Sequence, residues 1–251
     1  MPEVIYDQLG RGYASVRRAD PRLAARIDAA LADARTVVNV GAGAGSYEPP
    51  SREVTAVEPS AVMIAQRPAG AAPAVQASAE RLPFDDDSFD AAMAVLTAHH
   101  WTDLDAGLGE MRRVARRRIV IVAFDPEALR DLWITRDYFP EILGLKRRAG
   151  ASSQNLTALL PNAYSTPLPV PRDCQDHFFA ALWARPRMLF DDEVLQPMWV
   201  WREISEQARA AGRSRLAADL ESGAWERRYG DLAARSELDV GLRIVISDLS
   251  D

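Results

Sequence analysis

Two adjacent histidines, His99 and His100, stand beside only one other, His177, in 251 residues. Imidazole titrates near neutrality and suits proton abstraction, so the pair is a candidate general base, with His100 placed ahead of His99. Adjacent side chains rarely share a target, so one of the two is expected to face the site. Upstream, VVNVGAGAGSYEPP over 37–50 sets Gly41, Gly43 and Gly45 after a short apolar run. Glycine permits a positive φ and carries no Cβ to block a ligand that approaches the backbone. Glu58, 17 residues past Gly41, closes a second apolar run. A carboxylate placed there can accept hydrogen bonds from both hydroxyls of a ribose.

These residues need elements to bring them together. DPRLAARIDAALADA, 20–34, opens with Asp20 as N-cap and Pro21 at the first helical position, and its apolar residues recur at helical spacing. Strands are expected at 36–40, 54–58, 73–77, 89–96 and 117–124, with a helix at 104–115 between the last two. AYSTPLPVP, 163–171, is proline-rich and reads as an edge strand, and GLRIVISD, 241–248, as the final one. That makes seven strands in an α/β alternation, the pattern of a mostly parallel sheet with helices on both faces. Residues 176–230 read instead as helices rich in aromatics, inserted before the final strand. One link is odd. Between Gly45 and Val54 there is room for little more than a turn of helix, and Pro49 and Pro50 lie inside it. A parallel crossover usually takes a dozen residues or more.

A glycine turn after a first strand fits a dinucleotide, a phosphate or S-adenosylmethionine (SAM). The passage that separates them is SAERLPFDDDSFDAAMAVLTAHHW, 78–101. With VGAGAG and TAVEPS before it, this stretch resembles the class I SAM-dependent methyltransferases, in particular the methyltransferase type 11 branch that includes ubiquinone/menaquinone-biosynthesis and trans-aconitate-type enzymes. The resemblance covers roughly residues 36–124. It implies a Rossmann-like sheet, SAM as cofactor and S-adenosylhomocysteine as product. It places Gly41, Ala42, Gly43 and Gly45 beside the methionine part and ribose. It gives Glu58 the ribose hydroxyls, with Pro59 and Ser60 next to the adenine. Ala79 would offer its backbone N–H to the adenine ring, with Glu80 nearby, and Thr97 would line the methionine end. Many relatives carry Asp or Glu where this chain has Asn39, and Asp where it has Ser78. Asn39 brings no negative charge toward the SAM ammonium, and Ser78 cannot clamp the adenine amino group as a carboxylate does.

The acceptor is expected to be a small organic molecule, methylated at O, N, C or S. Its pocket is assigned to Tyr6, Tyr13, Trp101, Phe178 and Trp183, with Arg185, Arg187 and Arg202 interleaved among the lid aromatics. The chain divides into a helical segment at 1–35 over the cofactor, a SAM-binding core at 36–172, a helical lid at 173–235 and a closing strand at 236–251. A net charge of −6 argues against a nucleic-acid partner. A single cysteine, Cys174, excludes a disulfide within the chain and a cysteine-rich zinc site, and no metal is expected. The amino terminus lacks the basic start and apolar run of a signal peptide, and no window approaches a membrane span, so a cytoplasmic monomer or homodimer is expected. Two other readings stand beside this one: a nicotinamide-dependent oxidoreductase, and a protein of the same fold that binds a ligand without turnover.

Overall fold

The computed structural model describes residues 17–145 and 150–249. Tyr6 and Tyr13 lie outside the described residues. Helix α1 is Pro21–Ala30, and Asp20 caps it by accepting from the Arg22 N–H. The main sheet takes β1 (Thr36–Val40), β2 (Glu53–Val57), β3 (Ala74–Val75), β4 (Phe89–Val95), β5 (Ala115–Phe124), β6 (Ala163–Pro167) and β9 (Leu242–Asp248). A separate pair joins β7 (Val170–Pro171) to β8 (Glu237–Leu238). The strand order is β3-β2-β1-β4-β5-β9-β6. Neighbours from β3 to β5 are parallel, whereas β9 runs antiparallel to both β5 and β6. The order reverses between β1 and β4, and in such sheets ligands bind at the carboxyl ends beside that reversal.

The seven strands expected are those of the sheet, with some ends shifted: β5 starts two residues earlier, at Ala115, and the proline-rich strand stops at Pro167. The third shrinks to two residues. The proline-rich strand does lie at the edge, where a missing N–H costs no ladder bond. Along β5 the side chains alternate between two cores: Val120 and Val122 enter one, Ile119, Ile121 and Ala123 the other. Helix α3 (Leu104–Val114) covers the second core with Leu108, Met111 and Val114. Between α1 and α3 lies only the short α2, Ala61–Ile64. The crowded link is resolved without a helix: residues 41–52 run from β1 to β2 as turns and bends.

After β5 come α4 (Pro126–Asp131), one turn of π-helix (Ile134–Tyr138) and α5 (Ser153–Leu159), a region the sequence pattern left unread. The insertion contains α6 (Asp192–Leu195), α7 (Trp199–Glu203), α8 (Glu206–Glu221) and α9 (Ala224–Ala233), with short 3-10 turns before them. Its aromatics do not form a core of their own. Phe178, Phe179, Trp183, Trp201 and Trp225 join the cluster that holds Val120 and Val122 of the sheet.

Candidate active site

The glycine turn is fixed from below by β2. The N–H groups of Gly41 and Ala42 both donate to the Val57 carbonyl, at 2.8 and 2.9 Å. Gly41 has φ +73°, and a Cβ there would overlap the Thr97 side chain at the end of β4. The turn and the β4 loop are therefore in contact only because position 41 carries no side chain. Glu58, just past β2, is buried. Its two carboxylate oxygens accept from the Gly43 N–H (2.8 Å) and the Ser60 N–H (2.9 Å). Ser60 in turn caps α2 by accepting from the Met63 N–H. Two backbone donors thus orient the acid beside the glycine turn.

On the far side of the sheet order's reversal, Leu96 sits at φ +54°, an uncommon conformation for a branched residue and one often found at functional sites. It turns the chain at the end of β4 into the 3-10 turn Ala98–His100. The rings of His99 and His100 lie together, 3.9 Å between centroids. Trp199 of α7 packs against both, at 5.4 and 5.8 Å. A tight turn brings both rings under Trp199 of the insertion, and these contacts do not select one histidine over the other. Trp101, by contrast, packs over Gly107 of α3, against the second core.

Glu80 holds the loop that follows. Its Oε1 accepts from the Thr102 N–H and Oγ1 and from the Asp103 N–H. Burial pushes its carboxyl up, but these hydrogen bonds and one from its own backbone outweigh that and leave it below the ordinary carboxylate value. Ala79 is buried, Ser78 exposed, and Pro59 accepts from the Gln76 side chain through its carbonyl. Asn39 is buried and donates to Glu48 Oε1 at 3.3 Å.

The base of the insertion reaches the glycine turn through Asp176. This buried carboxylate accepts from the Tyr47 hydroxyl (2.8 Å) and pairs with the Arg17 guanidinium. Tyr47 stands at φ +64°, in the same turn as the glycines. The neighbouring Gln175 N–H donates to Asp20. Phe178 places its ring 5.9 Å from Phe124, at the carboxyl end of β5. Trp183 is fully buried in the core, and its indole N–H donates to the Val170 carbonyl. Burial and the nearby Arg185 push His177 below its usual value.

Sequence reasoning missed Glu48, Arg67, Tyr47, Asp176 and Trp199. The signal for Glu48 and Tyr47 was their presence, in SYEP, within a connection too short for a helix. Among the described residues no group of three or more His, Cys, Asp or Glu is placed to hold a metal ion, and no helix is long and apolar enough to cross a membrane.

A sequence profile of the methyltransferase domain family matches residues 38–122, from β1 to β5. A curated relative, the uncharacterized protein YafE of Escherichia coli K12, is 40% identical over 63 residues. That match spans 24% of this chain and 30% of the relative's length. A structure from Anabaena variabilis ATCC 29413, assigned as a methyltransferase of an antibiotic biosynthesis pathway, is similar with a TM-score of 0.84 and 28% identity, over 93% of this chain and 99% of that one. A SAM-dependent methyltransferase from Thermotoga maritima shares the fold with a TM-score of 0.58 and 16% identity, over 98% and 99% of the two chains. The [4+2]-cyclase SpnF shares it with a TM-score of 0.54 and 17% identity, over 97% and 93%.

Proposed function

We propose that this chain is a class I SAM-dependent methyltransferase that transfers the methyl group to a small organic acceptor seated beside the His99–His100 turn, which Trp199 covers. The observation that carries the cofactor side is the Glu58 carboxylate, aimed by the Gly43 and Ser60 N–H groups beside a turn of left-handed glycines. That donor set fits SAM: an acid for the ribose, and a backbone without side chains where the methionine part would lie. When bound, SAM supplies an electrophilic methyl on a sulfonium.

The chain's own residues do the rest. Thr97 and the glycine turn define the floor, and the lid shields the acceptor from water. His99 or His100 would take a proton from a phenol, hydroxyl or ammonium as it becomes the nucleophile, a role worth about 10²–10⁴-fold where it applies. Much of the remaining acceleration would come from holding the two reactants in line. The dinucleotide alternative is disfavoured by the antiparallel β9 placed between β5 and β6, where the dinucleotide fold keeps a parallel order.

Fold alone does not assign methyl transfer, as the cyclase neighbour makes plain. The test therefore has two stages. Calorimetric titration with SAM and S-adenosylhomocysteine, on wild type and Glu58→Ala, should give micromolar binding that the variant loses. S-adenosylhomocysteine release is then followed with panels of phenols, carboxylic acids and amines. Folded wild type that binds neither ligand would sink the cofactor reading. Binding without release on any panel would favour a ligand-binding role over an enzyme.

A further inference from the structure

The link from β1 to β2 lacks the helix that ordinarily follows a glycine turn in an open α/β sheet and stiffens it. Something else must hold the turn. Arg67, just beyond α2, reaches beneath it. Its Nη1 donates to the Gly43 carbonyl (3.3 Å), and its Nη2 to both oxygens of Glu48 (2.7 and 2.8 Å) and to the Ala72 carbonyl (2.9 Å). Glu48 also accepts from the Asn39 side chain and from the Ala72 N–H, each at 3.3 Å. The two charged side chains are only 6% and 8% exposed. A Cβ on Gly45 would come within 3.4 Å of Arg67 Nη1, so the guanidinium lies against the turn at two of its glycines.

We propose that the Arg67–Glu48 pair replaces the missing helix as the brace of the glycine turn, which makes Arg67 a positioning residue for SAM, and that Asn39 is neutral because position 48 supplies the acid of this site. The inference rests on the cofactor reading above. Its logic is charge balance. One buried guanidinium is matched by one carboxylate, and a buried charge that loses its partner is strongly unfavourable. An acid at position 39 would stand within hydrogen-bond distance of Glu48, two like charges against a single arginine.

The acid should therefore be movable but not doubled or deleted. We expect Asn39→Asp and Glu48→Gln each to weaken SAM binding tenfold or more by titration calorimetry. The double variant N39D/E48Q, which again carries one acid and one amide, should return to within about threefold of wild type. Arg67→Met should weaken SAM at least tenfold. Arg67→Lys, which keeps the charge but loses the fork, should fall between. Circular dichroism on each variant confirms folding. Recovery in the double variant is a readout that a bland contribution to stability would not produce. A double variant as weak as the two singles combined, or an Arg67→Met that binds SAM like wild type, would overturn the inference while leaving SAM binding intact. Wild type that is folded yet binds no SAM would overturn the cofactor reading itself, and this inference with it.

Discussion

Around the glycine turn, geometry is set by charge and by backbone donors. Glu58, Glu48, Arg67 and Asp176 are buried or nearly so, and each holds a named partner. In the insertion and the segment at 126–144 that it packs against, geometry is set by rings. Trp133, Trp225 and Tyr229 pack face and edge at 5.3 to 5.9 Å, and Phe139 meets Trp201 at 5.2 Å. Both regions share one hydrophobic cluster, yet they should fail differently. Directional contacts hold a loop at the precision a ligand needs but contribute modestly to net stability. Aromatic burial contributes much to stability and tolerates small shifts. A cofactor site asks for the first, and a packed insertion can rest on the second.

The largest expected effect tests the insertion. Trp183→Ala removes a fully buried indole and should cost about 3–5 kcal/mol. At roughly 2–4 °C per kcal/mol for a chain of this size, melting should fall by on the order of 10 °C. SAM affinity of the folded variant should stay near wild type. A parallel loss of affinity would break the comparison, because the aromatic core would then be setting the turn.

Next comes a polar contact at the seam. Asp20 caps α1 and accepts from the Gln175 N–H at the base of the insertion. Burial raises its carboxyl, but the bonds from Arg22 and Gln175 prevail and hold it at about 2, below the ordinary 3.8. A folded value below the unfolded one contributes stability above about pH 4 that is lost as pH falls through about 2. The shift corresponds to about 2 kcal/mol. Urea unfolding at pH 5 and at pH 2.5 should show wild type losing its advantage over Asp20→Asn as the medium becomes acidic. An advantage that does not change with pH would assign Asp20 a packing role only.

Smaller still is Tyr47→Phe. It removes one hydroxyl from Asp176, which keeps Arg17 as a partner. About 1 kcal/mol is at stake, or roughly fivefold in SAM affinity if the hydroxyl holds the turn. An unchanged affinity with a lowered melting point would move Tyr47 from the cofactor side of the comparison to the insertion side. The least change is expected at Cys174, whose thiol burial pushes up to about 12. Iodoacetamide at pH 8 should leave it unlabelled in the folded protein, and rapid labelling would mean that the base of the insertion opens.

The same contrast explains what the sequence disclosed. Strand residues such as IVIVA at 119–123 are buried on both faces, so they appear as an unbroken apolar run before a turn, and TVVNV is interrupted only by the buried Asn39. Gly41 and Glu58 are legible because a turn without side chains and an acid at a strand end each have a local signature. Arg67 and Glu48, or Tyr47 and Asp176, have none. Their meaning lies in a partner 19 or 129 residues away, which no periodicity encodes. Aromatic residues are legible as buried but not by direction. Trp101 and Trp183 turn into the two cores, while Trp199, which no motif singles out, covers the histidines. The π-helical turn at 134–138 has no pattern of its own to betray it.

Asp176 has one more consequence. Enzymes of a common scaffold can diversify by trading the segment that selects the substrate, provided that the joints carry no obligations. Here the joint does. A segment exchanged between 173 and 235 takes Asp176 with it, and leaves Arg17 and Tyr47 facing whatever arrives. The insertion is therefore not a cassette. A recombinant that keeps an aspartate at this position inherits the whole anchorage; one that does not must rebuild both sides of the seam at once.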